Sequence, residues 1–247
     1  ESVPPPETPL SSRFFCLSYC LAGFPQITMG MADFSGNDLT CIRGERVVFA
    51  KLAFSIGEGE VLYLRGPNGS GKSTLLRLMA GLLRPVSGEL RWNGESTKED
   101  AETFRGLLHY VGHQDAIKTA LTVEENVTFW AEMSGVDPEK RNVGEALEIF
   151  SLSHLASLPA RFLSAGQRKR LNLARLCASP APLWLLDEPA NSLDKASVGA
   201  LRSAITAHQE KGGLVAVATH EELSPDTNIL DISEFTNNKS ALMEDVA

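Results

Sequence analysis

The sequence has no apolar run long enough to cross a bilayer. The longest, residues 14–24 (FFCLSYCLAGF), is eleven residues, whereas a spanning helix needs about 20. Any membrane role is therefore expected to come through a partner. An excess of cation is also missing, since 23 Lys and Arg against 31 Asp and Glu leave a net charge of −8. Nucleic-acid binders carry clustered positive charge, so neither DNA nor RNA is an expected partner. Cysteine is scarce as well. Cys16, Cys20, Cys41 and Cys177 match neither a disulfide framework nor a zinc-ligand spacing, which points to a reducing compartment. No Cys-x-x-Cys-His segment is present, so covalent haem attachment of the c type is excluded. Internal repeats and sustained heptads are absent too.

Residues 1–30 read differently from the rest. Pro4, Pro5, Pro6 and Pro9 open a polar stretch ahead of the short apolar run. A secretory signal needs a basic flank and a transit peptide is Arg-rich and poor in acids. Here Arg13 stands alone against Glu1 and Glu7. This leader is expected to lie outside the folded domain, with a natural start near Met29 or Met31. An organelle-targeting remnant is the alternative.

Residues 39–64 alternate between apolar and polar positions, with turn signals between the segments. Leu52, Phe54 and Ile56 mark a half-buried antiparallel strand, and residues 60–64 a short strand running into a glycine-rich loop. A helix is predicted over 73–83 and a strand over 88–92, closed by the Asn93-Gly94 turn. The middle third is helical. Thr122 with Glu125 three residues on has the form of a capping box opening a helix to 133, and 144–150 and 167–177 are further helical segments. Residues 183–186 and 214–218 are unbroken apolar runs of the kind buried on both faces of a sheet, with a helix over 196–211 between them. The order describes an α/β nucleotide-binding architecture with a helical insertion.

Gly66-Pro67-Asn68-Gly69-Ser70-Gly71-Lys72-Ser73 matches the phosphate-binding loop G-x-x-x-x-G-K-[ST]. Without Cβ atoms, its glycines let backbone N–H groups curl round phosphate oxygens. The helix that follows, with Thr74 in its first turn, aims its positive end at the same anion. Lys72 is expected to neutralise β/γ-phosphate charge and Ser73 to ligate Mg²⁺. Asp187, ending a buried strand, is the second expected Mg²⁺ residue, and Glu188 beside it the group that polarises the attacking water.

Leu163-Ser164-Ala165-Gly166-Gln167 resembles the LSGGQ signature of the ATP-binding cassette (ABC) ATPases, with Ala165 in place of the first glycine. The resemblance implies a P-loop NTPase with a RecA-like core, an antiparallel β subdomain and a helical subdomain. It implies a head-to-tail homodimer in which Ser164 and Gly166 contact the γ-phosphate of the ATP held by the other protomer. Gln114 resembles the Q-loop glutamine, which reaches Mg²⁺ and the lytic water and senses the transmembrane subunit. Asp194 falls in a D-loop pattern that crosses the dimer interface, and His220 resembles the switch histidine at the γ-phosphate. Where the family stacks an aromatic ring on adenine this chain has Arg43, whose guanidinium is expected to lie on the base instead. Arg168 and Lys169 are expected on a solvated helix face. His109, His113, His154 and His208 are expected to serve packing or the surface only.

A finer resemblance is to the ATP-binding subunits of the haem exporters of cytochrome c maturation. It rests on residues 41–46, on 112–118, on 163–176 (LSAGQRKRLNLARL) and on 182–189 (PLWLLDEP). It implies an ATP-hydrolysing subunit whose work frees a haem-loaded chaperone, with integral membrane subunits as partners. The membrane is then reached only through those partners, from the cytoplasmic face of an inner membrane or, alternatively, the matrix side of a mitochondrial one. The alternatives are the ATPase of another small exporter, or a non-transport clamp. The expected domains are 36–225 for ATP binding, with a helical subdomain at about 115–178, and a tail over 226–247.

Overall fold

The computed structural model describes residues 32–134, 141–221, 223–224 and 228–236. The leader, with Cys16, Cys20 and both candidate start methionines, lies outside the described residues.

Two sheets organise the chain. The first is antiparallel, in the order β2-β1-β4-β5, from β1 (Phe34–Arg43), β2 (Arg46–Ile56), β4 (Ser87–Trp92) and the short β5 (Glu95–Ser96). In β2, Leu52, Phe54 and Ile56 point into the core while Lys51, Ala53 and Ser55 between them do not, which is the predicted half-buried pattern. The second sheet is parallel, in the order β6-β7-β8-β3-β9. Its strands are β3 (Val61–Arg65), β6 (Leu108–Val111), β7 (Leu183–Asp187), β8 (Leu214–Ala218) and β9 (Asn228–Asp231).

The central strands are buried on both faces, so their sequences carry no polar alternation. Side chains still divide by the two-residue period. Val61, Tyr63, Trp184, Leu186, Val215 and Val217 enter one apolar cluster. Leu62, Leu64, Leu183, Leu185, Leu214 and Ala216 enter the other, against the antiparallel sheet and α1 (Lys72–Met79). At about 1.5–3 kcal/mol for each buried aliphatic side chain, a one-residue slip in any of these strands would exchange the two sets and is strongly opposed.

The first cluster is closed by α3 (Val123–Met133), α4 (Val143–Ile149), α5 (Ala165–Ala178) and α6 (Lys195–Glu210); a short α2 (Ala101–Gly106) precedes β6. The capping box at the start of α3 is formed: Glu125 N–H donates to Thr122 Oγ1 at 3.2 Å and Thr122 N–H to Glu125 Oε2 at 2.8 Å. The helix predicted to reach residue 83 stops at Met79, because the chain turns at Gly81 with φ +66°.

Strand β9 corrects the expected tail. It pairs in parallel with β3, Leu62 opposite Asn228 and Arg65 opposite Asp231. Residues 228–231 therefore belong to the sheet. As an edge strand β9 buries little, Ile229 being 58 % exposed, so it lacks the continuous apolar run that marks β7 and β8.

Candidate functional site

The parallel order places three chemical segments side by side at the carboxyl ends of adjacent strands, where ligands bind in open α/β sheets. The phosphate-loop sequence follows β3, Asp187 ends β7, and Thr219-His220 follows β8, which lies between them. In register, Asp187 sits opposite Ala218, two residues before His220.

The loop's backbone is possible only with glycine at key points. Gly71, at φ +109°, caps α1, and a Cβ there would lie 2.6 Å from Val48 Cγ1. Lys72 is 8 % exposed, and its ammonium donates to the carbonyls of Gly66 at 2.7 Å and Pro67 at 3.1 Å. The charge is thereby held at the loop's mouth. Ser73 Oγ donates to Asp187 Oδ1 at 2.9 Å, which joins the first turn of α1 to the end of β7. Asp187 is 1 % exposed and its Oδ2 is an orphaned buried acceptor among the described residues. A buried carboxylate oxygen left over beside a serine hydroxyl is a hard-oxygen donor set of the kind Mg²⁺ selects, so these residues fit the cation.

A cavity of about 450 Å³ opens over the loop. Asn68, Gly69, Gly71, Lys72, Ser73, Thr74 and Glu188 line it, and Arg43 reaches it from the hairpin of β1 and β2. Arg46 and Val48 line the same cavity and escaped the sequence reading. Arg46 is the cross-strand partner of Arg43, so hairpin pairing is the signal that would have found it. Glu188 has φ +48°, unusual for a residue with a side chain. Its N–H donates to Ala218 O at 2.8 Å and its carbonyl accepts from Asn191 N–H at 3.3 Å. Strand β8 thus fixes the bend that carries the Glu188 carboxylate out of β7 to the cavity wall.

The remaining predicted residues do not line this cavity. Gln114 is exposed in the segment after β6, whose Val111 pairs with Leu186 of β7. His220 is exposed beyond β8. Ser164 caps α5 in a second capping box: Gln167 N–H donates to Ser164 Oγ at 3.2 Å, and Ser164 N–H to Gln167 Oε1 at 2.8 Å. A Cβ on Gly166 would approach Ser192 O at 3.5 Å, so the signature and D-loop segments are neighbours. Asp194 caps α6 by accepting Ser197 N–H at 2.8 Å, and the bonds from Ser197 lower its pKa.

One expectation is overturned at the signature helix. Lys169 is not solvated but 7 % exposed. The run Arg168-Lys169-Arg170 looks uniform in composition, yet Lys169 falls on the inward stripe of α5 with Asn172 and Arg175, at the i, i+3, i+6 spacing of one helix face. Two histidines serve packing as expected. His109 Nε2 lies 3.0 Å from Ser179 O, and His208 stacks on Trp184 with ring centroids 4.0 Å apart.

Comparison with known proteins agrees with this geometry. The ABC transporter family matches residues 49–191. The cytochrome c biogenesis ATP-binding export protein CcmA of Rhodospirillum rubrum is 50 % identical over 220 residues, 89 % of this chain and 92 % of that protein. The protein of the same name from Paramagnetospirillum magneticum is 49 % identical over 210 residues, 84 % of this chain and 97 % of its own. Among solved structures, a dimeric ATP-binding cassette in a post-hydrolysis state with ADP and Pi is 26 % identical. It has a TM-score of 0.68 and covers 81 % of this chain and 94 % of its own. The ATP-binding subunit of an ABC transporter, at 24 % identity and TM-score 0.72, shares the fold.

Proposed function

The chain belongs to the ABC transporter family, and from that premise we propose that it is the ATP-hydrolysing subunit of a haem exporter serving cytochrome c maturation. The observation that carries the chemical part is the Ser73–Asp187 junction beneath a cavity that Lys72 and Glu188 also line. The cellular role is supported by relatives named for cytochrome c biogenesis that match this chain at 50 % and 49 % identity over most of its length.

In this mechanism residues 66–72 wrap the phosphates with backbone N–H groups, and the Lys72 ammonium transfers from loop carbonyls to phosphate oxygens. Ser73, Asp187 and Gln114 would hold Mg²⁺, which neutralises charge developing on the phosphates. Glu188 accepts a hydrogen bond from the attacking water and so polarises it, while adenine packs against Arg43 at the hairpin. Ser164, Gly166 and Asp194 act across a head-to-tail homodimer, and His220 meets the γ-phosphate from the end of β8. Dimer closure passes through the Gln114 segment, in a helical subdomain of residues about 115–178, to integral membrane subunits. Among the described residues no helix is long and apolar enough to cross a membrane. Attachment to the cytoplasmic face of the inner membrane runs through those subunits in this reading.

The test is Glu188→Gln in the purified full chain. ATP affinity is expected to stay at the wild-type level while turnover falls by about 10²–10⁴-fold. A wild type that turns over ATP no faster than the variant would overturn the enzymatic reading and favour a clamp.

A further inference from the structure

Beyond β8 the chain carries His220 on residues that belong to neither helix nor strand, so their backbone N–H groups must find partners outside such ladders. Side-chain oxygens supply them. Glu221 N–H donates to Thr219 Oγ1 at 3.1 Å, a bond that spans His220. Leu223 N–H donates to Tyr63 Oη at 2.6 Å, and Ser224 N–H to the same oxygen at 2.7 Å. His220 itself is exposed. Thr219, Leu223 and Ser224 are all buried, and Tyr63 is fully so. An exposed imidazole is thus carried between buried anchors.

Tyr63 has two structural ties. Its backbone lies in β3, on the strand that feeds the phosphate loop, and pairs with Val217 of β8, the strand that leads to His220. Its ring enters the apolar cluster that also holds Val217 and Leu223, a packing duty that phenylalanine would fill. What the hydroxyl adds is an acceptor for two buried donors 160 and 161 residues further along the chain. A buried N–H without a partner costs the full desolvation of the group. The chain after His220 is therefore fixed to that oxygen instead of settling over a range of positions. One buried ring links the strand that starts the phosphate loop to the point where the chain leaves His220.

We propose that Tyr63 is a positioning residue for ATP hydrolysis: by accepting the N–H groups of Leu223 and Ser224, its phenolic oxygen fixes His220 relative to the phosphate loop that β3 carries. Tyr63 does not line the cavity and acts only through His220. The inference rests on the ATPase reading above, in which His220 meets the γ-phosphate, and names the residue that holds it there. Misplacing a reacting group by about 1 Å can cost about 10²-fold in rate, so loss of these two bonds is enough to be read in turnover.

The experiment measures kcat and KM for ATP in the full chain for wild type, Tyr63→Phe, His220→Ala and the double variant Tyr63→Phe/His220→Ala, each below its melting temperature, with Glu188→Gln as the inactive reference. His220→Ala is expected to lower kcat by about 10²–10³-fold, as loss of one donor at developing charge does. Tyr63→Phe keeps the ring and is expected to lower kcat by about 10–100-fold, with KM for ATP within about twofold. The double variant is expected to be no slower than His220→Ala, because Tyr63 acts only through that histidine. A merely structural role would instead multiply the two losses. Hydrogen exchange in wild type reads the anchors without any substitution, so the role stays testable if Tyr63→Phe fails to fold. The amides of Leu223 and Ser224 are expected to exchange at least about 10²-fold more slowly than in the unfolded chain. Unprotected amides there would overturn the positioning role. Wild-type kcat in Tyr63→Phe beside a slow His220→Ala would overturn it alone, as would losses that multiply in the double variant. Wild-type kcat in His220→Ala would overturn the γ-phosphate role of His220 and this inference with it. A wild type as slow as Glu188→Gln would overturn the ATPase reading itself.

Discussion

At the scale of single residues the site depends on positions where backbone and side chain make conflicting demands. Gly71 sits at φ +109° with Val48 in the space a Cβ would take. Gly71→Ala is expected to destabilise the fold by about 1–3 kcal/mol and to weaken ATP binding more than Gly69→Ala, where nothing lies within 4 Å. Both glycines have positive φ, so the comparison isolates the steric part; thermal melts with and without ATP read it. Glu188 accepts the same kind of backbone cost because its bend turns the carboxylate from the sheet to the cavity. Most of these residues were legible in sequence, since phosphate binding needs glycines, a lysine and a hydroxyl at fixed intervals in one stretch of chain. Lys169 was not. Composition cannot tell the buried cation of Arg168-Lys169-Arg170 from its solvated neighbours; only the position of Asn172 one turn further on marks the inward stripe.

At the scale of elements, the parallel sheet explains both the chemistry and an acid sensitivity. His109 in β6 and His208 in α6 pack near the start of β7, each held neutral by burial, with pKa lowered to about 4 from an ordinary 6.5. Between those values the unfolded chain binds protons that the folded chain refuses, so stability rises with pH across the window. The contribution is fully present above about pH 6.5 and is lost as pH falls toward 4. Tm is expected to decline through that range. His208→Phe, which retains a ring against Trp184, is expected to give a shallower decline, whatever its stability at neutral pH. An unchanged slope would remove His208 from this account. Strands β7 and β8 could be read as apolar runs because they are covered on both faces. Strands β6 and β9 and helix α2 were not recognised: they are short or lie at an edge, where burial imposes little pattern. The boundary at residue 225 failed for that reason.

At the scale of the whole molecule, the proposed mechanism makes the P-loop cavity of one chain an incomplete site. Ser164 and Gly166 lie at the start of α5 and do not line it. The γ-phosphate role proposed for them therefore requires a second copy. In Glu188→Gln, which retains ATP, light scattering is expected to show a dimer that depends on ATP and Mg²⁺. Adding Ser164→Arg to that variant is expected to abolish the dimer with ATP binding to the monomer intact. Monomers in ATP-loaded Glu188→Gln would contradict the shared site. The two described thiols are passive: burial raises the pKa of Cys41 and pushes Cys177 up to about 11, so both stay neutral and weakly nucleophilic.

The central claim joins ATP hydrolysis at Glu188 to cytochrome c maturation, and it is tested most directly in the native host lacking this gene. Covalent-haem staining of c-type cytochromes would be compared after rescue with wild type or with Glu188→Gln. The account predicts that holocytochromes vanish in the deletion and return with wild type alone. Unchanged holocytochromes in the deletion, or full rescue by Glu188→Gln, would contradict it.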